Sequence, residues 1–289
     1  MTPAVVDAHV HLWDPGRFDY PWLTEPALRR AVGPDELAAA AGEPIGVVVV
    51  EAGRRPEQAG AELDWVRARA AHRPELLGMV AHLSLEQPES PEQAEDLPER
   101  IRRLAADPFV VGVRRLLQDE PAGFTAGTGL RAGVALLGDS GLPFDACVRE
   151  HQLAELDELA AACPQTVLVL DHLGKPRPGA PDDGGWRRAL RRLAARPNVV
   201  CKLSGLATEA LPGRATPELL RPYLHTALDL FGPDRCLYGS DWPVMTLAGR
   251  YRDWLDLVRA ELSALPASDA QAVLGGNALR VYGLTGRTA

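Results

Sequence analysis

Short apolar runs rich in β-branched residues recur along the chain, each too brief for a helix and each bounded by Gly, Pro or charge. Eight stand out: "AVVDAHV" from Ala4, "IGVVVVEA" from Ile45, "LLGMVAHL" from Leu76, "VVGVRRLL" from Val110, "LPFDACV" from Leu142, "TVLVLDHLG" from Thr166, "NVVCKLSG" from Asn198 and "RCLYGSDWP" from Arg235. Between them lie stretches with helical spacing, such as "PEQAGAELDWVRARAAHRP" from Pro56, "PEQAEDLPERIRRLAADP" from Pro91 and "LAELDELAAACP" from Leu153. Runs apolar on both faces predict strands covered on both sides. Their alternation with amphipathic helices predicts a closed parallel sheet ringed by helices, an α/β fold of the (β/α)8 TIM-barrel type. No boundary breaks the rhythm, so residues 1–289 are expected to form a single domain. The Pro/Gly-rich patches "GKPRPGAPDDGG" from Gly174 and "EALPGRATP" from Glu209 each follow a predicted strand and read as βα loops rather than linkers. A doubly wound open sheet is the competing architecture, but its first strand would lead into a Gly-rich turn, and here it leads into "HVHLWDP".

A barrel carries its chemistry at the C-terminal ends of its strands. Those ends hold His9 and His11, Glu51, His82, Arg114 with Arg115, Asp145, Asp171 with His172, Lys202 with Ser204, and Ser240 with Asp241. Residues two apart on a strand share a face, so the spacing of His9 and His11 aims both imidazoles into the barrel mouth. Two imidazoles converging with an aspartate are ligands for a divalent cation. His72, His151 and His225 fall within or beside helical stretches and are expected to be structural or solvent-facing.

Composition narrows the partners. At 46% hydrophobic, 24% charged and 6% aromatic the chain is an ordinary globular one. A net charge of -8 argues against a nucleic-acid footprint, which wants a basic face. Cys147, Cys163, Cys201 and Cys236 form no CxxC pair and read as buried free thiols, suiting a reducing compartment. The N-terminal stretch lacks a basic segment followed by a long apolar core. No stretch reaches the ~18 apolar residues needed to span a bilayer, so a cytoplasmic protein with no membrane partner is expected.

The segments "VVDAHVHLWDP", "FDYPWL", "GVRRLLQDEP", "FDACV", "LVLDHLGKP", "WRRALRRLAARPNVVCKLSGLATEA", "GPDRCLYGSDWPV" and "GGNALRVYGL" resemble the amidohydrolase superfamily. Within it they are similar to the branch of sugar-lactone hydrolases that includes L-fuconolactonase and L-rhamnonolactonase, with 2-pyrone-4,6-dicarboxylate lactonase a more distant relative. The resemblance runs from Val5 to Leu284 and implies a (β/α)8 barrel that hydrolyses a cyclic ester, most simply a sugar 1,4- or 1,5-lactone. It places His9, His11, His172 and Asp241 at the family's active-site positions, with Asp241 as base and His172 holding the carbonyl or oxyanion. It leaves room for one divalent cation, Zn2+ foremost, held by His9, His11 and Asp241 with His172 nearby, and for no organic cofactor. The fifth strand, "FDACVRE", has no His or Lys where metal-dependent members generally add a ligand, and neither Cys147 nor Glu51 can be carried over as one.

Substrate contacts are expected from Arg114, Glu51, Lys202, Trp13 and Trp242, with Tyr20 and Trp22 completing an aromatic wall or closing the barrel top. Arg115 and His82 stand where relatives commonly carry other residues, and they either tune substrate preference or pack outward. Two competing readings are a hydrolase or decarboxylase of a pyrone or small aromatic-derived acid, and a barrel without turnover that binds a sugar acid. The first would ask for several arginines at the mouth, where Arg114 and Arg115 are the obvious ones.

Overall fold

The structure is a computed structural model and describes residues 4–86, 96–181 and 184–285. Its strands are β1 (Val6–Val10), β2 (Gly46–Val50), β3 (Leu76–His82), β4 (Val110–Arg114), β5 (Phe144–Ala146), β6 (Leu168–Leu170), β7 (Val199–Leu203) and β8 (Cys236–Tyr238). All eight predicted runs contain one. They form one sheet in sequential order with every neighbouring pair parallel, which excludes the doubly wound alternative. The ring closes just beyond β8: the His11 amide donates to the Trp242 carbonyl at 2.8 Å, and the Asp241 amide donates to the His9 carbonyl at 2.9 Å. A side chain at Gly239 would put its Cβ 3.0 Å from His9 Cβ and 3.1 Å from Ser204 Cβ, so glycine lets the chains approach closely at this seam.

The helices are α1 (Pro34–Ala41), α2 (Ala59–Ala70), α3 (Leu97–Ala106), α4 (Thr128–Asp139), α5 (Leu153–Ala162), α6 (Gly185–Ala194), α7 (Pro217–Phe231) and α8 (Tyr251–Leu262). A last segment follows, with α9 (Ala267–Gln271), a π turn over Ala272–Gly276 and α10 (Asn277–Val281). The helical stretch predicted from Pro91 yields α3, and its residues 91–95 lie outside the described ones. The patches from Gly174 and Glu209 are loops leading to α6 and α7, with residues 182 and 183 outside the described ones. Among the described residues no helix is long and apolar enough to cross a membrane.

Alternation along the strands divides two cores. Val47, Val49, Met79, Leu168, Leu170, Val199 and Cys201 pack outward with the helices, whereas Val48, Val50, Val80, Val169, Val200 and Leu237 fill the barrel. Tyr282, just after α10, joins the inner cluster as its plug. Strand β1 breaks the alternation: Asp7 pairs with Val47 and Val10 with Val49, one residue more on β1 than on β2. That extra residue is a bulge. Val6 and Ala8 face inward below it, His9 and His11 meet inward above it, and Asp7 is left between β1 and α8, accepting from the His9 and Ser240 amides and the Tyr251 hydroxyl.

Candidate active site

Above the apolar filling, the inward positions are polar. His9 on β1 and His11 just beyond it bring their Nε2 atoms to 3.2 Å. The His11 Nδ1 faces the Val50 carbonyl at 2.9 Å; a carbonyl only accepts, so Nδ1 carries a proton. His9 Nε2 faces the Arg114 guanidinium at 3.4 Å, and its Nδ1 stands 3.1 Å from both the Asp171 carboxylate, which accepts, and the Lys202 ammonium, which donates. Asp241 Oδ1 lies 3.4 Å from His11 Nε2 and 3.8 Å from His9 Nε2. His9 Nε2, His11 Nε2 and Asp241 Oδ1 thus converge, with the Arg114 guanidinium at the edge of the group, and such a set of nitrogen and carboxylate donors suits a cation. His9, His11 and Asp241 are all buried, and the chemistry of this donor set fits a divalent ion.

The two residues expected from "DHLGKP" and "GSDWP" reach the site from irregular backbone rather than from strands. Strand β6 stops at Leu170, and His172, Leu173, Gly174 and Lys175 all take positive φ, at 54°, 56°, 71° and 49°. Asp241, beyond β8, has φ 64°. Left-handed conformations in non-glycine residues are costly and concentrate where a site imposes them. The strained turn sets the His172 Nε2 4.0 Å from Asp241 Oδ1, with its Nδ1 2.9 Å from the Ser204 hydroxyl.

Burial pushes the His9 and His172 imidazoles well below their ordinary range. For Asp241, burial acts to raise the pKa, but His172 and His11 outweigh it and hold the carboxyl below its usual value, so it is ionised. Burial likewise works against Glu51, and Arg114, His82 and Arg54 bring it down to about 2. Asp171, opposed by burial, is held well down by Lys202 and His9.

The expected substrate contacts have protein partners of their own. Arg114 donates from Nε to Glu51 Oε1 at 2.7 Å and also to the Glu51 carbonyl, and Glu51 is tied in turn to Arg54 at 3.2 Å. Lys202 is fully buried, with Asp145 Oδ2 at 2.5 Å and Asp171 Oδ1 at 3.1 Å. Trp13 and Trp242 are buried beneath the mouth, the Trp13 indole donating to the Arg30 carbonyl, while Trp22 stands edge-on to Trp13 and is exposed. Tyr20 is buried. His82 turns to the cluster, 4.0 Å from Glu51, and burial lowers its pKa to about 4. Arg115 turns away, pairing with Glu86 and Glu120. Cys147 is a buried thiol touching Gln118, and all four cysteines are free and buried. His72, His151 and His225 are exposed, as expected.

Sequence reasoning named Asp171, Asp145 and Ser204 as strand-end groups without giving them a task, and it passed over Arg54, Glu62 and Lys175. Lys175 lies at the mouth against Glu209 at 3.2 Å and lines a cleft of about 870 Å³ with Arg149 and Arg177. The signal available was the acid immediately before His172; its partners on β5 and β7 are distant in sequence.

A profile of the family described as "Amidohydrolase" matches residues 6–284. The chain is 38% identical to an L-fucono-1,5-lactonase of Burkholderia multivorans, covering 96% of each, and 36% identical to one of Burkholderia ambifaria, covering 96% of this chain and 94% of that one. It superposes on the crystal structure of an amidohydrolase from Burkholderia multivorans with bound zinc at a TM-score of 0.84 and 33% identity, over 96% of this chain and 99% of that one.

Proposed function

The chain belongs to the amidohydrolase family, and from that premise we propose that it hydrolyses the ring ester of a sugar lactone, a 1,4- or 1,5-lactone of the fuconolactone kind. The observation that carries this reading is the convergence of His9, His11 and His172 on the ionised Asp241 at the barrel mouth. The Burkholderia relatives, L-fucono-1,5-lactonases over nearly their whole length, support the substrate class.

Lactone opening needs a nucleophilic water, a base, a holder for the oxyanion and a proton for the departing alkoxide. Asp241, ionised and within reach of all three imidazoles, takes the proton from the attacking water and returns it to the ring oxygen as the acyl C–O bond breaks, leaving a hydroxy acid. In this reading the Ser204 hydroxyl, 2.9 Å from His172 Nδ1, donates to it, and Nε2–H is left to face the carbonyl oxygen. Glu51, Arg114, Asp171 and Lys202 form the buried support that holds the His9 ring in place. The donor set fits one Zn2+ held by His9, His11 and Asp241. Such an ion supplies a lowered pKa for bound water and polarisation of the carbonyl.

A panel of aldonolactones, L-fuconolactone among them, and pyrone carboxylates, read by a pH indicator, tests the assignment. Acid release is expected from the aldonolactones. Release from pyrone carboxylates alone would move the substrate class, and release from neither would leave a binding protein. Chelation is expected to lower turnover at least tenfold, with recovery on adding Zn2+; full activity in a protein free of metal by elemental analysis would remove the ion from the proposal.

A further inference from the structure

Two groups of metal-type donors share His9: one is His9, His11 and Asp241, the other His9, Asp171 and His172. Each group by itself offers three donors to a cation, and filling both would need His9 to bridge as an imidazolate, one ring nitrogen to each. Lys202 reaches into the second group from β7. Its Nζ lies 3.1 Å from Asp171 Oδ1 and 3.1 Å from His9 Nδ1, and it is anchored 2.5 Å from Asp145 Oδ2. Behind Asp145 stands the Tyr282 hydroxyl at 2.9 Å, and lysine, both aspartates and tyrosine are all buried. We propose that the Lys202 ammonium is a built-in second cation: it occupies the Asp171 side of the pair and restricts the barrel to one metal ion, at His9, His11 and Asp241. The proposal rests on the metal reading given above.

The reason is electrostatic. Asp171 spends one oxygen, Oδ1, on both the His9 ring and the ammonium. A divalent ion claiming that oxygen would stand beside a fixed positive charge in a water-poor interior, where like charges repel far more strongly than in water. The same charge makes Lys202 a positioning residue. It shares Asp171 with His9 and so holds the ring whose Nε2 faces the first group.

The full chain, stripped of metal and reloaded with excess Zn2+, is assayed for bound zinc by elemental analysis, and crystals are examined for anomalous scattering. The wild type is expected to hold one equivalent, with a single anomalous peak beside His11 and Asp241. Lys202→Met paired with Asp145→Asn removes one charge of each sign, leaves the interior balanced and frees Asp171; this variant is expected to hold two equivalents. Two equivalents in the wild type, a peak beside Lys202 in its crystals, or one equivalent in the folded double variant would each overturn the proposal. A wild type that binds none overturns the metal reading itself, and this inference with it. The wild-type crystal keeps the proposal open to refutation even where the double variant does not fold.

Discussion

Asp241 touches solvent through little of its surface, yet it is ionised, because His172 and His11 outweigh the cost of burying it. Asn in its place keeps the shape and removes the charge. Asp241→Asn is therefore expected to lower lactone kcat/KM by roughly 10²–10⁴, the range for a positioned acid–base group, with an unchanged circular dichroism spectrum; near-normal turnover would sink the role given to Asp241. Ser204 acts one step back. Its hydroxyl, 2.9 Å from His172 Nδ1, sets which nitrogen of the ring faces the substrate. Ser204→Ala is expected to cost roughly 10–100-fold in turnover, as loss of an orienting partner commonly does, and to change kcat more than KM in steady-state assays.

At the scale of elements, the loops after β6, β7 and β8 decide the geometry more than the strands do. Gly205, just beyond β7, has φ +58°, and a Cβ there would fall 2.4 Å from His172 Nδ1 and 3.1 Å from Asp241 Oδ2. Gly213, farther along the same loop, has φ +73° but no neighbour within 4 Å of such a Cβ. Gly205→Ala is expected to displace His172 and cut kcat at least 100-fold. Gly213→Ala pays only the left-handed backbone cost, about 1 kcal/mol, and keeps its kcat. Equal kinetic damage in both would mean that strain, not the clash with His172, is responsible. These elements were unevenly legible in the sequence. Strand β2 was plain in "IGVVVVEA", but "TVLVLDHLG" reads as one continuous strand and gives only Leu168–Leu170. From His172 to Lys175 the backbone turns left-handed beside the end of β7, where Ser204 meets the His172 ring, a contact that hydrophobic pattern does not encode.

At the scale of the whole molecule, Asp7 joins the first strand to the last turn of the ring. It accepts from the His9 amide at 3.1 Å, the Ser240 amide at 2.9 Å and the Tyr251 hydroxyl at 2.9 Å, on the helix side of the barrel wall. Burial nevertheless pushes its carboxyl up to about 6 from 3.8. Because the folded pKa is the higher one, the native state binds a proton that the unfolded chain has already released between these values. Stability from this group is therefore lost as pH rises from about 4 to about 6. The shift corresponds to about 3 kcal/mol. Asp7→Asn keeps an acceptor for both amides and does not titrate, so its stability relative to wild type is expected to rise by about that amount between pH 4 and pH 7, read from denaturant midpoints at the two values. A pH-independent difference would show that Asp7 keeps an ordinary pKa in the fold.

By itself the sequence determined the eightfold alternation, the sequential parallel barrel and the polar character of the strand ends, because a buried strand and an amphipathic helix each leave a local periodicity. It also determined that His9 and His11 share a face, since they lie two residues apart in an extended segment. Tertiary structure alone decided that Asp7 is turned away from them, because a bulge is visible only against the partner strand. It alone decided, too, that Glu51, Arg114 and Lys202 are held by Arg54, Asp171 and Asp145 in one buried charge network. Those pairings join residues on different strands, and closing the barrel is what brings them within a few ångströms and removes the water that would otherwise screen them.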